Sequence, residues 1–302
     1  MKDIPLLTLI GEPWADYALL DSGGGRKLER YGTRSFIRPE PQAMWAPALP
    51  AWDADGEFIP ASDADGGGRW FFHRPVPAEG WALGWEETRF MASCTPFRHL
   101  GFFPDMAPVW SWLRGQVAPI ARAGQAQNEQ RPSFLNLFGY TGVGSQALAT
   151  AGAAVTHVDA SKKSVGQARA NADLAGLADA PIRWIVDDAS KFAQREVRRG
   201  KRYDAILLDP PKYGRGPDGE RWELEEDLAP LIADCAALLD ERSRALFLTV
   251  YAVRMSALAI GELLRGALSG LGGRVECGEL AVREEARGLL LPTAIWARWS
   301  PL

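Results

Sequence analysis

Short apolar segments alternate with helical segments through the second half of this 302-residue chain, and this alternation limits the folds open to it. The predicted strands are Phe134–Phe138, Ala154–Val158, Ile182–Val186, Ala205–Leu208 and Ala245–Val250. The predicted helices lie at about Val143–Ala151, Ser161–Ala175, Ala189–Arg199, Glu225–Leu239 and Met255–Leu268. Because a helix separates each strand from the next, the pattern favours a parallel sheet covered by helices.

A last pair of apolar segments, Arg274–Val282 and Pro292–Trp299, has no helix between its members. It predicts an antiparallel hairpin at the edge of the sheet. The expected fold class is α/β, with a Rossmann-like doubly wound sheet. In such a sheet, ligands bind beyond the carboxyl ends of the strands.

The N-terminal part of the chain has a different character, because eight of the 12 tryptophans and eight of the 12 phenylalanines precede residue 113. Short apolar pieces at Ser35–Ile37, Glu57–Ile59 and Trp70–His73 are separated by turn clusters at Asp21–Gly25, Asp53–Gly56 and Asp63–Gly68. We predict a small β-rich accessory domain. The repeated D-A-D-G raises the alternative of calcium loops, but the EF-hand spacing is missing and hairpin turns are favoured.

We divide the chain into a β-rich domain at residues 1–92, a linker at 93–130 and a domain of alternating strands and helices at 131–302. The linker is expected to contain a helix at Val109–Arg122, followed by a polar loop at Gly124–Arg131. These boundaries follow the change from aromatic, turn-rich sequence to alternating strands and helices.

Composition excludes several classes of protein. No apolar run reaches the roughly 18 residues of a membrane span, and the N-terminus lacks the layout of a secretory signal, so we expect a cytoplasmic protein without membrane contact. The three cysteines and three histidines show no zinc-ligand spacing, so neither disulfides nor a metal is expected. With 34 basic and 38 acidic residues, the net charge is -4, and a nucleic-acid partner would require a local basic patch.

The first strand of the alternating region leads directly into Gly139-Tyr-Thr-Gly142-Val-Gly144. Glycines at a strand-to-helix turn let the backbone approach a ligand, while the helix N-terminus faces it. Their order is G-x-x-G-x-G rather than the G-x-G-x-x-G of dinucleotide-binding proteins. The loop therefore predicts a small, partly anionic cofactor.

Two acidic segments follow the next strands. Asp159 lies 20 residues after Gly139, where an acid accepts hydrogen bonds from ribose hydroxyls. Capping of the next helix is the alternative for Asp159, but Ser161 is the better N-cap residue. Asp187, Asp188 and Ala189 follow the third strand, where a carboxylate can accept from an adenine amino group; helix capping is again the rival interpretation.

The fourth strand ends in Asp209-Pro-Pro-Lys-Tyr213. The two prolines fix the backbone and present the Asp209 side chain and the Pro210 carbonyl rigidly to the cleft. Tyr213 is placed either to stack on a flat substrate base or to pack under the glycine-rich segment Gly214–Gly219. That long loop is a candidate lid.

These motifs, in this order, resemble those of class I S-adenosylmethionine-dependent methyltransferases. The sequences N-L-F-G-Y-T-G, V-D-A-S, D-D-A and D-P-P-K-Y are similar to the large-subunit (23S) rRNA methyltransferases that include the cytosine-5 enzymes, as is the lead-in Gly101-Phe-Phe-Pro-Asp105. The resemblance implies S-adenosylmethionine as cofactor and rRNA as partner. The cofactor residues it implies are Phe138, Gly139, Tyr140, Thr141, Gly142, Asp159, Ala160, Ser161, Asp188, Ala189 and Asp209.

The chain departs from the cytosine-5 enzymes after the fifth strand, where those relatives carry a nucleophilic cysteine and this chain reads Leu248-Thr-Val-Tyr-Ala-Val253. We therefore predict methylation of a base without a cysteine nucleophile, using Asp209, Pro210, Lys212 and Tyr213. Cys94 is the remaining candidate thiol. A methyltransferase of a small molecule or a protein side chain, and a non-catalytic RNA or assembly factor, stay open as alternatives, and the sequence gives no oligomeric state.

Overall fold

The computed structural model describes residues 3–61, 67–127, 131–251 and 254–302. It divides into two compact units. The first, here called the α/β unit, contains Met1–Leu9, Pro108–Glu279 and Ala294–Leu302, and the second, the β-rich unit, contains Ile10–Ala107 and Leu280–Thr293. The division into domains at 1–92, 93–130 and 131–302 stays a prediction about which segments fold together.

The described strands are, in chain order, β1 Leu6–Gly11, β2 Tyr17–Gly23, β3 Arg26–Tyr31, β4 Arg34–Pro39, β5 Gly56–Pro60, β6 Gly68–Phe72, β7 Trp81–Trp85, β8 Thr88–Ala92, β9 Ser133–Leu137, β10 Ala154–Asp159, β11 Ile182–Val186, β12 Ala205–Leu208, β13 Tyr213–Arg215, β14 Arg221–Glu223, β15 Ala245–Tyr251, β16 Arg274–Arg283 and β17 Leu290–Ser300. The α-helices are α1 Ala107–Gln127, α2 Val143–Thr150, α3 Lys162–Leu174, α4 Ala189–Arg198, α5 Leu224–Ala237 and α6 Ala257–Ala267. Short 3-10 turns lie at Pro104–Met106 and Ser269–Leu271. None of the helices in the described ranges combines the length and apolarity that crossing a bilayer requires.

The largest sheet has eight strands in the order β1-β16-β17-β15-β12-β9-β10-β11. Strands β15, β12, β9, β10 and β11 are parallel neighbours, and β17 pairs antiparallel to β15. The five predicted strands and the five predicted helices of the alternating region are confirmed to within two residues at each end. The α/β fold class is therefore confirmed.

The position of the terminal hairpin at the sheet edge was predicted wrongly. Strands β16 and β17 are adjacent, but β1 lies beyond β16 and forms the edge of the sheet. The sequence LLTLIG has the apolar content of a strand, yet it lies more than a hundred residues from any other strand of this sheet. Pairing across such a separation leaves no periodic signal in the sequence.

The central strands are apolar on both faces, as expected for parallel strands between layers of helices. One core cluster joins alternate residues of β9, β12 and β15 to one face of α5. Leu137, Leu208 and Leu248 from the strands and Ile232 and Cys235 from the helix are fully buried in it. This packing fixes the strand ends at which the candidate site lies.

The β-rich unit contains a five-stranded sheet in the order β2-β3-β4-β5-β6 and a hairpin of β7 and β8. The predicted strands at residues 35–37, 57–59 and 70–73 are confirmed within β4, β5 and β6, apart from His73. The turn predicted at Asp21–Gly25 is shorter than expected, because Asp21 and Ser22 belong to β2. The Asp21 carboxylate accepts hydrogen bonds from the backbone N–H groups of Ser22 and Leu49, which explains its burial in a strand.

Helix α1 is longer than the predicted Val109–Arg122 and continues to Gln127. The predicted loop at Gly124–Arg131 is therefore wrong for its first four residues, whereas residues 128–130 lie outside the described part of the chain. Residues 63–66 of the turn cluster at Asp63–Gly68 also lie outside it. The misplaced boundary has a physical reason, since alanine and glutamine extend a helix at little cost.

Candidate active site

The predicted site residues lie at the carboxyl ends of the parallel strands of the large sheet. The parallel strands β12, β9, β10 and β11 end at Leu208, Leu137, Asp159 and Val186, in that spatial order. Leu208 and Val158 both stand in register with Leu137, so the strands end nearly level. The segments that follow them are brought together as the doubly wound fold requires.

The segment Phe138–Gly142, here called the glycine loop, has an unusual backbone. Phe138, Tyr140 and Gly142 have φ angles of 58°, 49° and 82°, in the left-handed region. Such angles are uncommon for residues with a side chain and persist only where the surroundings hold them. The loop ends at Gly142, which is the N-cap of α2 and supplies no side-chain cap to the helix.

Buried polar side chains support the glycine loop from beneath. The Nδ1 atom of His157 lies 2.9 Å from Ser145 Oγ, which also accepts a 2.9 Å hydrogen bond from Asn136 Nδ2. A Cβ atom on Gly139 would lie 2.4 Å from His157 Cε1, so only glycine fits over the imidazole. Burial lowers the pKa of His157 to about 3, and this ring is therefore neutral at physiological pH.

The Asp159 carboxylate lies between the glycine loop and α3. Its Oδ2 accepts from the Tyr140 backbone N–H at 2.9 Å, and its Oδ1 accepts from the Ser161 N–H at 2.8 Å. Each carboxylate oxygen has a second lone-pair site, which leaves capacity for hydroxyl donors. Burial raises the pKa of Asp159. Ser161 is the N-cap of α3, as expected, and Ala160 lies between the two.

The acidic pair after β11 is engaged within the protein. Asp188 is the N-cap of α4, where its Oδ1 accepts from the Lys191 N–H at 2.9 Å, and Ala189 is the first residue of that helix. Asp187 forms an ion pair with Arg195. Asp188 therefore caps α4, as the rival interpretation predicted, and the contact of Asp188 with adenine stays a prediction.

Asp209 follows β12, next to the strand that leads into the glycine loop. Its Oδ1 accepts a 2.5 Å hydrogen bond from the Thr249 hydroxyl of the neighbouring strand β15. Pro210 behind it is buried. Thr249 lies within Leu248–Val253, the segment where the similar cytosine-5 enzymes carry their cysteine; residues 252–253 lie outside the described part. The hydroxyl fixes the orientation of the carboxylate that the motif presents.

The residues after Pro210 form an antiparallel hairpin of β13 and β14, here called the Asp209 hairpin (residues 209–223). The buried Trp222 donates from Nε1 to the Pro211 carbonyl at 2.7 Å, and its ring lies 4.9 Å from that of Phe138. The candidate lid at Gly214–Gly219 is the tip of this hairpin. An ion pair between Glu220 and Lys191 ties the end of the tip to α4.

Lys212 and Tyr213 stand at the start of the same hairpin. Tyr213 is 61% exposed, so the alternative in which it packs under the Gly214–Gly219 segment is wrong. The Lys212 ammonium lies 5.2 Å from the centroid of the Tyr213 ring, within the range of a cation–π interaction. This pair presents an aromatic face and a positive charge to solvent.

The three cysteines do not provide an activated thiol. Burial raises the pKa of Cys94 to about 12, and it also raises the pKa values of Cys235 and Cys277. A nucleophilic cysteine requires the opposite shift, toward the thiolate. In the described ranges no group of three or more His, Cys, Asp or Glu side chains is arranged to hold a metal ion.

Sequence reasoning missed the residues that hold the site in place. Thr249, Trp222 and His157 each contact a predicted segment from elsewhere in the chain. Of these, only Thr249 had a signal, because it lies within Leu248–Val253, the segment where the similar enzymes carry their cysteine. Contacts of this kind depend on strand register and become visible only in the folded chain.

Comparisons with known proteins agree with this architecture. Residues 122–219 match the family described as Conserved hypothetical protein 95. A SAM-dependent methyltransferase of known crystal structure from Agrobacterium tumefaciens is 43% identical and superposes with a TM-score of 0.90, covering 100% of this chain and 97% of that one.

Similarity to two curated proteins is more local. Ribosomal RNA large subunit methyltransferase I from Aeromonas salmonicida is 39% identical over 80 residues, 26% of this chain and 20% of the relative. Ribosomal RNA large subunit methyltransferase K/L from Methylococcus capsulatus is 30% identical over 179 residues, 59% of this chain and 22% of the relative. The chain thus spans about a fifth of the length of these curated relatives.

The similarity to the Agrobacterium protein extends over nearly the full length of both chains, and its sequence identity is well above the level at which only the fold is shared. The glycine loop, the acid after β10 and the Asp209 hairpin lie in the spatial order that the sequence motifs require. On these grounds, the chain belongs to the S-adenosylmethionine-dependent methyltransferases.

Proposed function

We propose that this enzyme transfers a methyl group to a base of large-subunit rRNA, at a nitrogen or another atom that requires no covalent enzyme adduct. The observation that carries the proposal is the Asp209 hairpin. It holds a carboxylate, a proline carbonyl and an exposed tyrosine beside the glycine loop. The names of the two curated relatives support rRNA as the substrate class.

The residues present fit S-adenosylmethionine. The N-terminus of α2 has no side-chain cap, and the Asp159 carboxylate keeps lone pairs for ribose hydroxyls. We assign the methionine end to Phe138–Gly142, the ribose to Asp159 with Ala160 and Ser161 alongside, and the adenine to Asp188 and Ala189. When bound, the cofactor supplies an electrophilic methyl group on a sulfonium.

The chain's own residues then have to present the acceptor. The Asp209 carboxylate and the Pro210 carbonyl accept hydrogen bonds from an amino group of the substrate base, which aims the nitrogen lone pair away from them. Tyr213 stacks on the flat base and restricts its rotation. Lys212 adds a positive charge near the phosphates that flank the base. Catalysis here consists of alignment, which requires no nucleophile from the protein.

The absence of an activated thiol separates this reaction from cytosine-5 methylation. Methylation at carbon 5 of cytosine needs a thiolate to add at carbon 6, and burial raises the pKa of Cys94 to about 12. We expect Cys94→Ala to retain near-parental kcat and the parent enzyme to form no stable complex with RNA containing 5-fluorocytosine. A trapped complex that disappears in Cys94→Ala would establish the cytosine-5 reaction instead.

The substrate is tested by mass spectrometry of rRNA nucleosides from a deletion strain, compared with its parent. Loss of one methylated nucleoside, restored by the wild-type gene and not by Asp209→Ala, is the expected result. An unchanged set of rRNA nucleosides would refute the rRNA assignment. The net charge of -4 favours a small molecule or a protein as the second candidate substrate, because a polyanion is repelled by such a protein as a whole.

A further inference from the structure

A cavity of the α/β unit lies at the amino ends of its parallel strands, whereas the candidate site lies at their carboxyl ends. It has a volume of about 690 Å³ and is lined by six cationic and three acidic side chains. The cationic residues are Arg131, Arg183, Lys201, Arg202, Arg242 and Arg244. The proposed methyl transfer uses none of them.

The acidic side chains of this cavity are already engaged. Asp204 Oδ2 accepts from the backbone N–H and the hydroxyl of Ser133, at 2.7 and 2.9 Å. Glu196 accepts from Tyr203 Oη at 2.9 Å and pairs with Arg199. Asp240 pairs with Arg242 at 3.0 Å. The charges of Glu196 and Asp240 are therefore compensated by cations, whereas Asp204 is hydrogen-bonded to neutral groups.

Most of the cations lack such compensation. Of the six, only Arg242 forms a salt bridge to a carboxylate among the described residues. Arg131, Lys201, Arg202 and Arg244 are exposed; Arg202 donates to the backbone carbonyl of Lys201, and its charge helps to lower the pKa of Asp240. The cavity thus holds an excess of positive charge in a protein whose net charge is -4.

Four of the cations form a row across the amino ends of the parallel strands. Arg244, Arg202 and Arg131 precede the adjacent strands β15, β12 and β9, and Arg183 is the second residue of β11. With strands about 4.8 Å apart, the row from β15 to β11 is roughly 19 Å long. This length is several times the width of one phosphate group, so the row matches a chain of phosphates better than a single anion.

Stabilisation of helix C-termini is the competing explanation for the row, because basic residues there interact favourably with the helix dipole. It accounts for Lys201 and Arg202, which closely follow α4. It does not account for Arg183 or Arg244, which lie nine and seven residues beyond the last helical residues, Leu174 and Ala237. The dipole effect is confined to the last turn of a helix.

We propose that this row binds the sugar–phosphate backbone of the RNA substrate, at a site separate from the one where the methyl group is transferred. The inference rests on the proposed function in one respect, namely that the substrate is RNA. The row supplies the local basic patch that an acidic RNA-binding protein requires. The contacts are to phosphates and thus independent of sequence, so the row positions the RNA and leaves the choice of base to the Asp209 hairpin.

The test is the binding of a fluorescein-labelled single-stranded RNA to the full-length protein, followed by anisotropy over a series of salt concentrations. The variant is R131Q/R202Q/R244Q, and the matched control is K163Q/R169Q/R265Q, which removes the same charge from α3 and α6. We expect the first variant to bind on the order of 10²-fold more weakly at about 0.1 M salt, with a salt slope smaller by about 2. The control should bind within a few-fold of the parent.

S-adenosylmethionine binding, measured for all three proteins, shows that each is folded. Equal RNA affinity and an equal salt slope in the parent and the first variant would overturn the backbone site and leave the proposed reaction intact. A parent that binds S-adenosylmethionine but no RNA would overturn both. RNA binding that depends on the row, without any rRNA nucleoside lost in the deletion strain, would remove the proposed reaction and keep the row.

Inorganic phosphate and adenosine diphosphate serve as competitors, because a free anion has the same chemistry as one segment of a backbone. If phosphate or adenosine diphosphate displaces the RNA only at concentrations far above the dissociation constant of the RNA, the result supports a polymer as the ligand. Displacement by either small anion at an equal or lower concentration would overturn the assignment to RNA.

Discussion

The glycine loop and the Asp209 hairpin follow adjacent strands, yet they are held in different ways. The glycine loop has a strained backbone and rests on the buried side chains of His157, Ser145 and Asn136. The hairpin exposes Tyr213, and its base is anchored by hydrogen bonds from Trp222 and Thr249. The contrast indicates that the core shapes the glycine loop, here called the cofactor half for its proposed role. In the Asp209 hairpin, the proposed acceptor half, the base is anchored in the core and the tip is largely exposed.

If this contrast is correct, substitutions in the hairpin should lower turnover and leave the cofactor affinity unchanged. Asp209→Ala removes the carboxylate that orients the acceptor and should lower kcat on the order of 10²-fold or more through misalignment. The measurement is single-turnover methyl transfer, with calorimetric titration of S-adenosylmethionine alongside. Unchanged turnover would remove Asp209 from the acceptor site, and loss of cofactor binding alone would move it to the cofactor half.

The contrast between the glycine loop and the hairpin also explains how much of the fold and of the site could be predicted from the sequence. The alternation of strands with helices predicted the parallel sheet, and local motifs pointed to Asp159, Asp209 and Gly139, because periodicity and turn chemistry are local properties. Strand β1 at the sheet edge and the bond from Thr249 to Asp209 were not predictable, because both depend on register between distant segments. Asp188 shows a different limitation. An aspartate at this position is compatible with both adenine binding and helix capping, so the sequence does not distinguish the two roles.

The second prediction concerns cofactor binding at Asp159, in the cofactor half of the site. Asp159→Ala removes the carboxylate assigned to the ribose and releases the Tyr140 and Ser161 N–H groups, so cofactor binding should weaken by about 1.5–3 kcal/mol. Calorimetric titration measures the loss, and Asp159→Asn, which keeps one acceptor oxygen, should lose less. Parental affinity in the alanine variant would refute the ribose assignment.

The buried network beneath the glycine loop makes the cofactor half sensitive to acid. Burial lowers the pKa of His157 from 6.5 to about 3, so between these values the unfolded chain binds a proton that the folded protein does not. Stability therefore falls as the pH decreases through this range, by about 2 kcal/mol from this group between pH 7 and pH 5. Denaturant unfolding of the parent and of His157→Asn at both pH values isolates the effect.

The asparagine variant lacks the titrating ring, whereas His99 and the carboxylates remain in both proteins. The loss of stability between pH 7 and pH 5 should therefore be smaller in the variant, even though the substitution lowers its stability at pH 7. An identical pH dependence in the two proteins would mean that His157 is protonated equally in the folded and unfolded states, and that it does not support the glycine loop as a neutral ring.

The smallest expected effect is at Thr249, whose hydroxyl donates to Asp209 in the acceptor half. Thr249→Val has nearly the same shape but cannot donate the 2.5 Å hydrogen bond, so the carboxylate loses one constraint on its orientation. A hydrogen bond to a charged group contributes about 1.5 kcal/mol, and we expect kcat to fall about tenfold. KM and the affinity for S-adenosylmethionine should stay near parental values, because the hydroxyl binds neither substrate in this arrangement.

Thr249→Ser is the matched control, since it keeps the hydroxyl and should restore most of kcat. A purely structural role would give the opposite ranking, because serine leaves a methyl-sized cavity in a fully buried position and valine does not. If valine retained parental kcat and serine did not, packing at β15 rather than the bond to Asp209 would be what the site requires. The order of the two variants therefore decides whether the acceptor half is held by a hydrogen bond or by the core.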